Sequence, residues 1–361
     1  MKQRLPLLLG VFAVMALSNA IVPVLPALAD GPALQGALFS AYFLGAFLTV
    51  LPAGVLSDRV GRVPLIRAGL VLTLASGAAI FAFPDPLVLL AARGIEGIGA
   101  GLFVPAAMSW INLQPDHEHM SGNFIAALNV GLVSGLLGAG FLSDVAGIMG
   151  GVAVFTAATV VPLVLSALMA EANAPEGRNG GLIGIGKNYF WLYVSAIVLV
   201  GATGAVTAIY PDFTGETPAT LSLQLGMMNV ATIIASIAAS RAHLAPIPTI
   251  RASAVVMAAA VAFSYLTPLA FVLVGGIAGV VMIAQINYLA ADQARQGAVM
   301  GLFNASSYAG MTLLPFMAGV VAETNGFMMA FAVTAILSAV MAVTIGRCRC
   351  PASIAVNRRL P

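Results

Sequence analysis

The sequence predicts an all-α membrane protein of twelve transmembrane helices in two pseudo-symmetric six-helix bundles, and three observations predict it. Of 361 residues, 60% are hydrophobic and 8% charged, against roughly 25% charged in a soluble domain. Apolar runs near the roughly 20 residues that cross a bilayer core recur twelve times. The basic residues fall almost entirely in alternate loops, the pattern that sets orientation in a membrane.

The first run, 5–28, contains Pro6, Pro23 and Pro26 and follows Lys2 and Arg4. Ala27-Leu28-Ala29 before Asp30 imitates a signal-cleavage site, but the run exceeds a signal's apolar stretch and reads as a retained span. Further runs at 33–56, 63–83, 87–111, 121–142 and 147–170 complete six. Residues 1–170 thus form an N-terminal half. The polar, glycine-containing stretch 171–187 reads as a cytoplasmic linker. Runs at 188–211, 218–240, 249–267, 269–291, 298–321 and 326–346 make a C-terminal half, 188–346, followed by a cytoplasmic tail, 347–361. Cys348 and Cys350 in that tail lack the further ligands of a zinc site and, in a reducing cytosol, would not form a structural disulfide. No function is assigned to them.

With both termini cytoplasmic in the cell (inner) membrane, fourteen basic residues from Lys2 to Arg359 lie on or near the cytoplasmic side, and Arg93 alone does not. The basic residues therefore serve topology, and the net charge of +2 calls for no nucleic-acid partner. A shift of 179 lays Gly122, Gly131, Ala139-Gly140 and Asp144 over Gly301, Gly310, Ala318-Gly319 and Glu323, and Arg62 over Arg241. An internal duplication accounts for these matches.

After the second run stands Gly54-Val-Leu-Ser-Asp58-Arg59-Val-Gly61-Arg62, followed by Arg67. This resembles the signature loop between helices two and three of the major facilitator superfamily. The resemblance spans about residues 5–346 and implies that superfamily's twelve-helix fold. It also implies alternating access around a central site and a latch between the halves built on Gly54, Asp58, Arg59, Gly61 and Arg62, with Asp116 or Glu118 as partners. The bland reading of the arginines, as topological signals, is compatible with this.

Arg93-Gly-Ile-Glu96-Gly97-Ile-Gly99-Ala100-Gly101 resembles the superfamily's helix-four motif, with Glu96 where glutamine is common. Each charge costs about 2.5–3.5 kcal/mol at a helix centre on insertion scales, and residues three apart share a helical face. Two readings stay open: a structural ion pair, or a proton site at Glu96 modulated by Arg93. Gly122, Gly131, Gly135, Ala139 and Gly140 are similar to the helix-five motif of the drug:proton antiporter branch. Leu136 replaces its proline and Ala139 one glycine, which weakens the step from motif to export.

Polar side chains within spans face the bundle or a cavity, which nominates Asn19, Tyr42, Asn129, Thr203, Tyr210, Asn229, Gln285, Asn287, Asn304 and Tyr308. The resemblance favours helices one, four, seven and ten. No phosphate-cradling loop or two-histidine metal motif is present, so neither an enzyme, a cofactor nor a metal is expected. The expectation is a monomeric secondary transporter in the lipid bilayer, exchanging protons or another coupling ion for a small molecule in efflux. Uptake by symport or uniport, and a non-transporting receptor or assembly subunit, are the alternatives.

Overall fold

The computed structural model describes residues 3–83, 85–171, 189–242, 244–290 and 296–347. The expected linker lies outside the described residues except for Glu171, as does the tail except for Arg347, and the side chains of Gly54, Asp58 and Glu118 are also outside them.

Twelve helices among the described residues are long and apolar enough to cross a membrane. We number them α1 (Leu5–Ala20), α2 (Pro32–Val60), α3 (Arg62–Ala82), α4 (Pro86–Asn112), α5 (His117–Ala146), α6 (Gly150–Leu168), α7 (Phe190–Thr214), α8 (Pro218–Arg241), α9 (Pro246–Ser264), α10 (Ala270–Leu289), α11 (Gln296–Asn325) and α12 (Phe327–Thr344). No strand occurs among the described residues. Proline explains the irregularities. After α1 the chain tightens into a 3₁₀ turn at Val22–Val24, where Pro23 lacks an N–H, before a last helical turn, Leu25–Leu28. α6 is interrupted at Thr159, just ahead of Pro162. Proline also opens α2, α4 and α8, where a missing N–H leaves no bond unmade.

The main pairings repeat six helices on: α1 with α5 and α7 with α11, α2 with α4 and α8 with α10, α3 with α4 and α9 with α10. Two further seams, α2 with α11 and α5 with α8, join the two groups of helices. α1 and α7 are the most buried. Small residues allow these approaches: a Cβ at Gly97 would run into the Tyr42 carbonyl, and one at Gly45 into the Gly94 carbonyl. Here α2 and α4 pack almost backbone to backbone.

Candidate functional site

The α2 and α4 contact encloses a buried ion pair. Arg93 Nη1 donates to Glu96 Oε2 at 2.6 Å, and the two side chains are 3% and 0% exposed. Their i, i+3 spacing on α4 places both on the face that glycines press against α2. Arg93 also donates from Nε to the Leu38 carbonyl at 3.4 Å, and its guanidinium carbon lies 4.8 Å from the centre of the Tyr42 ring. The second carboxylate oxygen, Glu96 Oε1, is buried with no hydrogen-bond partner. Such an atom costs about 1–3 kcal/mol, which marks a place where a proton or a rearrangement would complete the bonding.

Tyr42 links the pair to a cavity of about 380 Å³ between the two groups of helices. α1 contributes Met15, Ser18 and Asn19; α2 contributes Phe39, Tyr42 and Phe43; α5 contributes Leu128, Leu132 and Leu136. From the other group come Val200, Thr203 and Thr207 of α7, Leu225, Met228 and Asn229 of α8, Met282 of α10, and Ser307, Tyr308 and Met311 of α11. Among the described residues no charged side chain lines the wall. The wall is apolar, with a few amides and hydroxyls, as small-molecule sites generally are. Phe43 and Tyr308 approach across the cavity with ring centres 6.2 Å apart.

Of the cavity residues nominated from sequence, Asn19, Tyr42, Thr203, Asn229 and Tyr308 line this wall. The others do not. Tyr210 is buried beyond the cavity, its ring 4.4 Å from that of Phe271. Gln285 is fully buried and donates to Ser195 Oγ at 2.9 Å. Asn129 donates to the carbonyl of Ile125 on its own helix, while Asn287 and Asn304 are exposed away from the wall. The thioethers of Met15, Met228, Met282 and Met311 carry no polar signal in a sequence and escaped notice, as did Phe39, Phe43 and Thr207.

The loop between α2 and α3 is held within the first six helices. Gly61, with φ +98°, makes the turn. The Glu171 carboxylate then accepts from the Arg62 and Val63 amides at 3.0 and 2.9 Å, capping α3. Arg62 donates to Ser109 Oγ at 2.8 Å and lies 3.7 Å from Glu171. Arg59 is exposed, and Arg67 donates to the Ser166 carbonyl at the end of α6. Asp116, nominated as a partner for this loop, is instead engaged by Arg4 in a two-pronged pair at 2.6 and 2.9 Å. Glu171 was missed because it opens a stretch that reads as linker.

The helix-five motif serves packing at three interfaces. Gly131 and Gly135 lie against the Phe12 and Ala16 carbonyls of α1, Ala139 is buried against Gly151 of α6, and Gly140 meets Ser222 and Pro218 of α8. Gly122 has open space around it.

A bundle that encloses a mostly apolar, uncharged cavity between two repeating groups of helices, with a buried ion pair behind its wall, is the architecture of a membrane transporter. The chain belongs to the Major Facilitator Superfamily, whose family model matches residues 7–294. That makes it a transporter rather than an enzyme. Among curated relatives, it is 30% identical to the quinolone resistance protein NorB of Staphylococcus aureus over 116 residues, 30% of this chain and 25% of that one. The match thus spans a quarter of the length of that relative. Solved structures share the fold at low identity. The D-xylose-proton symporter superposes with a TM-score of 0.76 at 14% identity, covering 98% of each chain. A bacterial homologue of the human lysosomal transporter Spinster, inward-facing and occupied, gives 0.74 at 16% identity over 95% of each. The nucleoside transporter NupG gives 0.73 at 13%, covering 96% of this chain and 98% of that one.

Proposed function

We propose that this protein is a secondary active transporter working by alternating access, and that it exports a small organic molecule in exchange for protons. The single observation that carries the coupling is the buried Arg93 and Glu96 pair, with one carboxylate oxygen unpartnered and Tyr42 standing between the pair and the cavity wall. A proton taken at Glu96 would weaken its hold on Arg93 and free the guanidinium toward Tyr42. Proton uptake would then be felt where substrate binds. The uncharged wall favours neutral or singly charged substrates, because a multiply charged one would be desolvated without counter-charges. The partial likeness to a quinolone resistance protein supports export over uptake. With both termini cytoplasmic, as the positions of the arginines suggest, the starts of α2 and α8 face outward. The chain acts as a monomer, each copy enclosing a complete cavity.

The test is proton movement in proteoliposomes containing a pH-sensitive dye, screened against small organic molecules beginning with a quinolone. Substrate-driven proton flux in the wild type and its loss in Glu96→Gln is the expected result. Substrate transport that persists without any proton flux would refute proton coupling, and flux in the same direction as substrate would refute exchange.

A further inference from the structure

The end of the bundle away from the N-terminus is closed by two seams built in different ways. α2 starts there at Pro32, which has no N–H, after Gly31, whose φ is +81° and which has no side chain to act as a cap. The free amides at a helix start need acceptors, and the aligned peptide dipoles favour negative charge beside them. α2 obtains both from the other half. The Ala33 N–H donates to Glu323 Oε2, near the end of α11, at 3.1 Å. Gln35, fully buried, donates from Nε2 to Asp212 Oδ1 of α7 at 3.0 Å and to the Ala29 carbonyl at 3.1 Å. Two carboxylates of one half thus grip the first turn of a helix of the other.

The seam between α5 and α8 lacks this device. α8 is capped from its own half, with Thr217 Oγ1 accepting from the Thr220 N–H at 3.4 Å. Asp144, which the 179-residue repeat lays on Glu323, is exposed, and its side chain forms no hydrogen bond among the described residues. What closes this seam is the fit of Gly140 against Ser222 and Pro218. Repeat symmetry would make the two seams alike; the polar contacts make them different.

We propose that Glu323 and Asp212 are positioning residues for transport. They hold the far end of the cavity shut by capping and clasping α2 from the opposite half, and the α2 and α11 seam is the latch that must break for that end to open. The α5 and α8 seam, held by packing alone, slides without breaking a polar contact. The inference rests on the alternating-access reading.

Spin labels at Leu87 and Leu266, exposed positions at the far end of the two halves, report opening by pulsed electron paramagnetic resonance. The full chain is used in nanodiscs, with Cys348 and Cys350 replaced by serine. Glu323→Ala and Asp212→Ala should each raise the ratio of long to short distances about tenfold, equivalent to about 1.4 kcal/mol. Glu323→Gln, which keeps an acceptor but loses the charge, should raise it less, and Asp144→Ala should leave it unchanged. Gly36→Trp is the positive control, since even a Cβ there would meet the Pro315 carbonyl at 2.6 Å. A long population in Gly36→Trp but not in the clasp variants, or an equal rise in Asp144→Ala, overturns the clasp and leaves alternating access standing. No long population in any variant overturns both. A lower thermal midpoint without a longer distance would reduce the contacts to helix capping and overturn the proposal.

Discussion

Replacing Arg93 with methionine should be among the most damaging single changes in the membrane-embedded core, and its partner should rescue it. The pair is 3% and 0% exposed and 2.6 Å apart, so removing the cation leaves Glu96 in an apolar interior with no counter-charge. Breaking a buried pair from one side costs about 3–5 kcal/mol. Removing both charges together, as Arg93→Met/Glu96→Met, restores an apolar interior, and such replacements range from neutral to about 1–4 kcal/mol stabilising. The double-mutant cycle should therefore give a coupling energy of about 3 kcal/mol or more, at or above the upper end of the usual range for touching residues. At about 2–4 °C per kcal/mol in chains somewhat smaller than this one, the single variant should melt on the order of 10 °C below the wild type. Tryptophan fluorescence during heating in detergent reads this, while proteoliposome flux reads function. Proton-coupled flux should be lost in both variants although stability returns in the double. An Arg93→Met midpoint equal to the wild type, or a double variant as unstable as Arg93→Met, would refute the reasoning that the pair is buried and mutually compensating.

Gly97→Ala should lower the thermal midpoint by the roughly 1–3 kcal/mol of an overpacked core, because its Cβ meets the Tyr42 carbonyl. Gly122→Ala, with open space, should be neutral or stabilise α5 by up to about 1 kcal/mol; equal losses at both sites would contradict the packing. Glu171→Ala should cost about 0.5–2 kcal/mol as a lost cap of α3, and hydrogen exchange should speed up at the Arg62 and Val63 amides while leaving α10 unchanged. Asp116→Asn should shift stability by no more than about 1 kcal/mol, since its pair with Arg4 is some 40% exposed on both sides. Tyr308→Phe should alter the apparent substrate affinity in a transport assay and Tyr210→Phe should not, because only the first lines the cavity; the reverse order would misplace the site.

Much of this protein follows from composition alone. In a bilayer every backbone amide must be bonded within the protein, which leaves helices or closed barrels, and continuous apolar runs of about 20 residues, without the alternation of barrel strands, select helices whose number is countable. The Arg93 and Glu96 spacing likewise decides a contact, because a helix brings residues three apart together wherever it sits. Glycines at close helix approaches were legible for the same local reason.

What the sequence left undecided is the rotation of each helix and the identity of distant partners. In a soluble protein a polar stripe shows which face meets water; here the faces turned to lipid and to other helices are both apolar, so the pattern carries little phase information. For that reason local pattern could not separate Tyr308 from Gln285, and the resemblance favoured Gln285 on helix ten; tertiary packing instead put Tyr308 on the cavity wall and Gln285 against Ser195. Asp116 found Arg4, Glu171 found the start of α3, and Glu323 found a helix of the opposite half, across 109 to 290 positions of chain. Such pairings depend on where whole helices come to rest against one another, and no local spacing encodes them.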